Sequence, residues 1–172
     1  GRRYMEAQAL SSDEETAVAY NGGWLDSYAY THPSLHDYTY EEATLDWMGV
    51  LGTGVVTANE VIYSGADVKY VAPARAMRAF FEFIMMDCWG DVPINDETVK
   101  GIDIRERQPR ADVAKFIEKE LLASIPYLSS NNTQATYGKP NKWMAEALLV
   151  KLYINWPVYT ATSVDKYDAS PY

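Results

Sequence analysis

The residues best suited to chemistry stand close together near the N-terminus, in Tyr20-Asn21-Gly22-Gly23-Trp24-Leu25-Asp26-Ser27-Tyr28. A sugar ring offers an apolar C–H face and a rim of hydroxyls, so a carbohydrate site needs flat rings for stacking with amides and carboxylates beside them. This segment carries both kinds of group, and its glycine pair lets the backbone come close to a ligand. Tyr20, Asn21, Trp24, Asp26 and Tyr28 are therefore the candidate ligand-binding residues. Loops rich in Tyr, Gly and Asn also build protein interfaces, so a protein contact is the competing reading.

Other constellations fall short of a working site. His32 and His36 are four apart, a zinc-binding spacing on a helix, but Pro33 directly follows the first and no third ligand stands in register. Asp37 is the one nearby carboxylate, and packing within a loop is the preferred role for both rings. Gly49, Gly52 and Gly54 follow the order G-x-x-G-x-G with no strand before them and no Gly-Lys-Ser/Thr after, which does not make a nucleotide cradle. Cys88 lies in an apolar helical stripe, where a thiol is a small inert core residue, and no G-x-S-x-G elbow occurs. The carboxylates Asp13, Glu14 and Glu15, and then Glu41, Glu42 and Asp46, would serve a glycoside hydrolase only as a pair across a cleft. Solvated charge at helix starts is the preferred reading. Catalytic residues, metal ligands and cofactors are accordingly expected to be none.

The whole composition narrows the classes further. With 24 acidic and 15 basic residues among 172, the net charge is −9, and no basic block exceeds Arg2-Arg3, which excludes non-specific nucleic-acid binding. A 48% hydrophobic share excludes disorder of the whole chain. One cysteine excludes an internal disulfide framework and leaves the compartment open. The 14 Tyr and 5 Trp far outnumber the 4 Phe, and seven of these nineteen polar-tipped rings fall between Tyr20 and Trp47. Glu82, Asp87 and Lys151 interrupt the best apolar runs, so no stretch reaches the roughly 18 residues of a membrane-spanning helix. No secretory leader opens the sequence, as expected where one is lacking or has been removed.

The elements that must position these residues read as helices. Residues 1–40 hold clustered turn formers and suit a loop region with short helical pieces. From Tyr40 to about Ser64 apolar residues recur at helical spacing, Asn59 being the polar exception on that face, and the three glycines are expected to break or curve the helix. A second helix is predicted from Ala72 to Trp89, burying Met77, Phe80, Phe81, Ile84, Met85 and Cys88 and presenting Arg75, Arg78, Glu82 and Asp87 outward. Gly90 supplies its stop. A third helix is predicted over 110–128, and a fourth, capped by Asn141, carries Met144, Leu148, Leu152, Asn155 and Trp156 until Pro157 kinks or ends it. Residues 66–71 and 92–94 are short β-branched pieces that define no sheet. The expected fold is all-α, with tetratricopeptide-like helical pairs and long irregular loops.

Three blocks resemble a known family. Residues 76–94, AMRAFFEFIMMDCWGDVPI, are similar to the signature helix and turn of SusD/RagB-type nutrient-binding lipoproteins of the Bacteroidetes outer membrane. Gln108 to Val113 with Phe116, Ile117, Glu120 and Leu121, and Tyr137 to Lys142 with Leu148, Leu149, Leu152 and Tyr153, resemble its next two helices in the same order. Upstream, Ser12-Asp13-Glu14, Trp47 and Asn59 also resemble family positions. The resemblance implies a SusD-like helical domain or fragment over 1–172, with a ligand-facing loop region over 1–40 and helical pairs over 41–172. It implies a surface-exposed protein of the outer membrane, held by a lipid anchor whose cysteine this chain lacks. Its implied task is non-catalytic capture of a glycan, with a peptide as the alternative, for import through a SusC-type TonB-dependent transporter. Asn21, Trp24 and Asp26 would then fall in the ligand-facing loop, while Asp13 and Glu14 would be structural. Members of the family are longer, with a C-terminal half that completes the ligand site. An interaction scaffold without a small ligand is the rival of a different class.

Overall fold

In the computed structural model, residues 2–12, 14–15, 34–36, 47–96 and 105–166 are described. The chain divides into two compact units, Gly1–Gly49 and Val50–Tyr172. In the first, helix α1 (Arg2–Leu10) buries Tyr4 and Leu10, and Tyr4 meets the buried Trp47 edge-on with ring centroids 6.4 Å apart. The helix ends where two serine hydroxyls compete for its last carbonyls: Ser11 Oγ donates to Ala7 O at 2.7 Å and Ser12 Oγ to Ala9 O at 2.9 Å. Ser12 Oγ also accepts from the Glu14 amide at 3.2 Å. His36, at a left-handed φ of 56°, donates from Nε2 to Ser11 O at 3.0 Å, a loop-packing role.

The second unit is built from helices. Helix α2 (Met48–Tyr63) buries Leu51, Val55, Ala58 and Asn59. The glycines do not break it. At Gly54 a Cβ would lie 2.6 Å from Cε2 of Phe81, so this glycine is the place where the aromatic ring of the next helix reaches the α2 backbone.

Helix α3 (Val68–Trp89) starts four residues before the predicted position. Asp67 Oδ1 accepts from the Lys69 amide at 2.9 Å and caps it, so residues 68–71 form the first turn of the helix and no strand forms there. The predicted outer face is also corrected: Arg78 and Glu82 are both 0% exposed, whereas Phe80, Phe81, Met77 and Cys88 are only half-buried. Helix α3 is covered on more than one side, which the single-stripe reading of its sequence did not allow. Gly90, at φ 74°, donates its amide to Met86 O at 2.9 Å and stops the helix.

Helix α4 (Arg110–Ser124) buries Val113, Ala114, Ile117, Glu120, Leu121 and Ser124 and is the central element, packed against α3 and the two helices that follow. Pro126, which has no amide to continue the ladder, turns residues 125–127 into a 3₁₀ turn, so the predicted 110–128 helix is shorter than expected. Asn141 Oδ1 accepts from the Met144 amide at 2.9 Å and caps helix α5 (Lys142–Ile154). Asn155 interrupts, and Pro157 opens the short helix α6 (Trp156–Thr160). Arg110 reaches the last carbonyls of α6, donating to Val158 O at 2.6 Å and Tyr159 O at 3.3 Å. Tyr159 in turn donates its hydroxyl to Asp87 Oδ1 at 2.7 Å. The fold is all-α: among the described residues the sole extended pairing is a bridge between Val92 and Gln108.

Candidate binding site

The site begins at the turn that ends α3. Asp91 Oδ1 accepts from the Arg110 amide at 2.8 Å, which fixes the turn to the start of α4. Val92 is fully buried, and its carbonyl accepts from the Gln108 amide at 3.0 Å, so the arms on either side of the bridge run antiparallel.

The first arm is held by its main chain. Asn59 Nδ2 donates to Asn95 O at 3.2 Å, Glu82 Oε1 accepts from the Asn95 amide at 3.3 Å, and Tyr63 Oη donates to Asp96 O at 3.4 Å. Arg105 on the second arm donates to Ile94 O at 3.1 Å and lies 3.7 Å from Asp96 Oδ1. Between the arms lies a cavity of ≈ 380 Å³, lined by Ile94, Asp96, Arg105, Glu106 and Gln108.

A buried polar network supports this shelf from below. Arg78 Nη1 donates to Asn59 Oδ1 at 2.8 Å, and its Nη2 meets Glu120 Oε2 in a fully buried ion pair. Arg75 Nη1 reaches the other Glu120 oxygen at 2.8 Å, and the Arg78 guanidinium sits 5.2 Å from the centre of the Phe116 ring. Two arginines on α3 thus share one carboxylate on α4. Glu82 is different. Burial, only partly offset by the Asn95 amide and the nearby Arg78 charge, pushes its carboxyl up from 4.5 to about 7.

The cavity wall presents a guanidinium, two carboxylates and an amide beside one branched aliphatic side chain. Such a wall can exchange hydrogen bonds with hydroxyls or amides. Cys88 is not available as a nucleophile, since burial and the neighbouring Asp87 push its thiol up to about 12. Among the described residues no group of three or more His, Cys, Asp or Glu side chains is placed to hold a metal ion.

The candidate residues Tyr20, Asn21, Trp24, Asp26 and Tyr28 lie outside the described residues, as do Asp13, His32, Asp37, Glu41, Glu42 and Asp46. Glu14 and Glu15 are exposed. None of the residues that build the cavity and its support was proposed as a site residue from the sequence. Two signals pointed to them: Asn59 is polar on an otherwise apolar face, and Arg78 and Glu82 stand at the i, i+4 spacing of a helical pair.

No family model matches the chain. The chain is similar to a SusD-like protein of Bacteroides ovatus, with 27% identity over 190 aligned residues covering 88% of this chain and 34% of that protein. The SusD-type resemblance carried by the helical blocks is therefore found along most of the sequence. The chain spans about one third of the length of that curated relative.

Proposed function

We propose that this chain is part of a non-catalytic, surface-exposed nutrient-binding protein of SusD type that captures a glycan and delivers it to a SusC-type TonB-dependent barrel. The observation that carries the proposal is the likeness to a SusD-like protein over 88% of the chain. Two features support a glycan as ligand. The sequence of the segment Tyr20–Tyr28 combines stacking rings with hydrogen-bonding side chains, and, separately, the cavity lined by Ile94 and Gln108 presents a guanidinium, carboxylates and an amide. Trp24 would stack on a sugar face with Tyr20 or Tyr28 beside it, while Asn21 and Asp26 would bind hydroxyls. No helix among the described residues is long and apolar enough to cross a membrane, and attachment through a lipid anchor belongs to the SusD-type reading proposed here.

Affinity electrophoresis through a panel of polysaccharides tests the reading. Retardation of the full chain by at least one glycan, abolished in Trp24→Ala, is the expected result. Equal mobility of both proteins in every glycan, or retention by immobilised peptides alone, overturns the glycan assignment. Co-purification of a large outer-membrane barrel from detergent extracts tests the partner independently.

A further inference from the structure

Among the described residues Trp47 and Trp156 are buried and Trp89 is half-buried, whereas Trp143, in the first turn of α5, is 51% exposed. An indole left in water forgoes the burial that its large apolar body favours, yet this one is held in place. Its Nε1 donates to Ser130 O at 2.8 Å, and Lys142 Nζ stands over the ring, 5.7 Å from its centre. Side chains on a helix lean toward its N-terminus. The Nε1 bond carries the ring that way, onto the loop 129–136 and away from the exposed Val150 and Ile154 farther along α5.

That loop is polar and tied to a fixed shape. The Lys142 amide donates to Ser129 O at 3.0 Å and the Asn131 amide to Ser129 Oγ at 3.1 Å. Thr136 Oγ1 accepts from the Thr133 amide at 3.0 Å and donates to Asn131 O at 3.0 Å. These bonds use main chain and hydroxyls. The side-chain amides of Asn131, Asn132 and Gln134 are exposed and have no hydrogen-bond partner among the described residues. We propose that Trp143 and the loop 129–136 form a second glycan contact, a stacking platform distinct in sequence from Tyr20–Tyr28. It rests on the glycan reading of the chain and adds a site to it.

The chemistry favours uncharged sugars. With Lys142 over one face, the other face of the indole can take the C–H face of a pyranose, while amides, which donate and accept, match hydroxyls that do the same. The Lys142 charge is shared with Glu146, 3.5 Å away, and is not held ready for an anion. A protein partner would cover Val150 and Ile154 together with the ring, and this is the competing occupant.

The test follows the indole signals of the isotope-labelled full chain by NMR, assigned through Trp→Phe variants, with cellohexaose, maltoheptaose, xylohexaose and mannohexaose added singly at about 10 mM, a level that detects millimolar binding. At least one sugar is expected to shift the Trp143 indole and the Asn131 and Asn132 amides together. In Trp143→Ala the dissociation constant read from those amides should rise roughly fivefold or more. Asn131→Ala with Asn132→Ala, which leaves the ring and its bond to Ser130 O in place, should weaken the Trp143 shift and decides the matter if Trp143→Ala does not fold. A Trp143 indole that no sugar moves overturns the platform, and if Trp24 responds in the same samples the reading of the Tyr20–Tyr28 segment stands without it. A response at Trp143 with none at Trp24 keeps the platform and removes that segment as the binding loop. Self-association in sedimentation that Trp143→Ala abolishes, with no sugar-dependent shift, gives the face to protein and likewise overturns the platform.

Discussion

Replacing Arg78 with Met would strip Glu120 Oε2 and Asn59 Oδ1 of their shared donor while both stay buried. The expected loss is about 3–5 kcal/mol in a urea melt, because a buried carboxylate keeps its desolvation cost after losing a partner. Glu82→Gln should act in the opposite direction. Its carboxyl titrates at about 7 in the folded chain against 4.5 without burial. A raised folded value means that the stabilising contribution is complete below the lower value and is lost as pH rises through the upper one. Above about pH 7 the wild type therefore carries an unfavourable buried charge worth up to roughly 3 kcal/mol, and Glu82→Gln removes it. Melts at pH 8 should favour the variant, and melts near pH 4.5 should not. At this scale the sequence was least legible. Arg78 and Glu82 look like ordinary surface charges on a helix, and they are buried because α2, α4 and the arm at Asn95 surround α3 with partners distant in sequence.

The elements were easier to read, because helix starts and stops depend on neighbouring residues. Asn141 as a cap and Gly90 as a stop act within one or two turns, and the structure places those helix boundaries there, whereas α5 already ends at Ile154 and Pro157 lies in the first turn of α6. Boundaries were missed where a nearer signal prevailed: Asp67 starts α3 ahead of Ala72, and Pro126 ends α4 ahead of Leu128. Asn141→Ala should cost about 1 kcal/mol through loss of the Met144 amide bond, measured as a lowered urea midpoint. The glycines of α2 separate two effects. Gly52 has open space where a Cβ would go, so Gly52→Ala should stabilise by up to about 1 kcal/mol through helix propensity. Gly54→Ala forces the Phe81 ring to shift, and overpacking of about 1–3 kcal/mol should exceed that gain. Thermal melts of the two variants should move in opposite directions.

For the whole molecule, the all-α class and the SusD-type resemblance were both legible in the sequence, since blocks such as GDVPI persist as local structure. The ring-rich segment was legible as chemistry, but its geometry lies outside the described residues. On the proposed reading, a net charge of −9 should set the preference among glycans. Neutral polysaccharides are expected to retard the chain more than uronate-rich ones of similar length, and added salt should narrow the difference. A preference for uronates that grows with salt would show that overall charge plays no part. The stitch made by Arg110 has a consequence for the order of assembly. Its amide is fixed by Asp91 and its guanidinium grips Val158 and Tyr159, so one residue joins positions 19 residues behind it and 48 ahead. Contacts of such long reach form late in folding, after the turn and α4 exist to present the guanidinium. Arg110→Ala should therefore accelerate unfolding far more than it slows refolding in stopped-flow kinetics, the signature of α6 docking after the turn and α4 are in place.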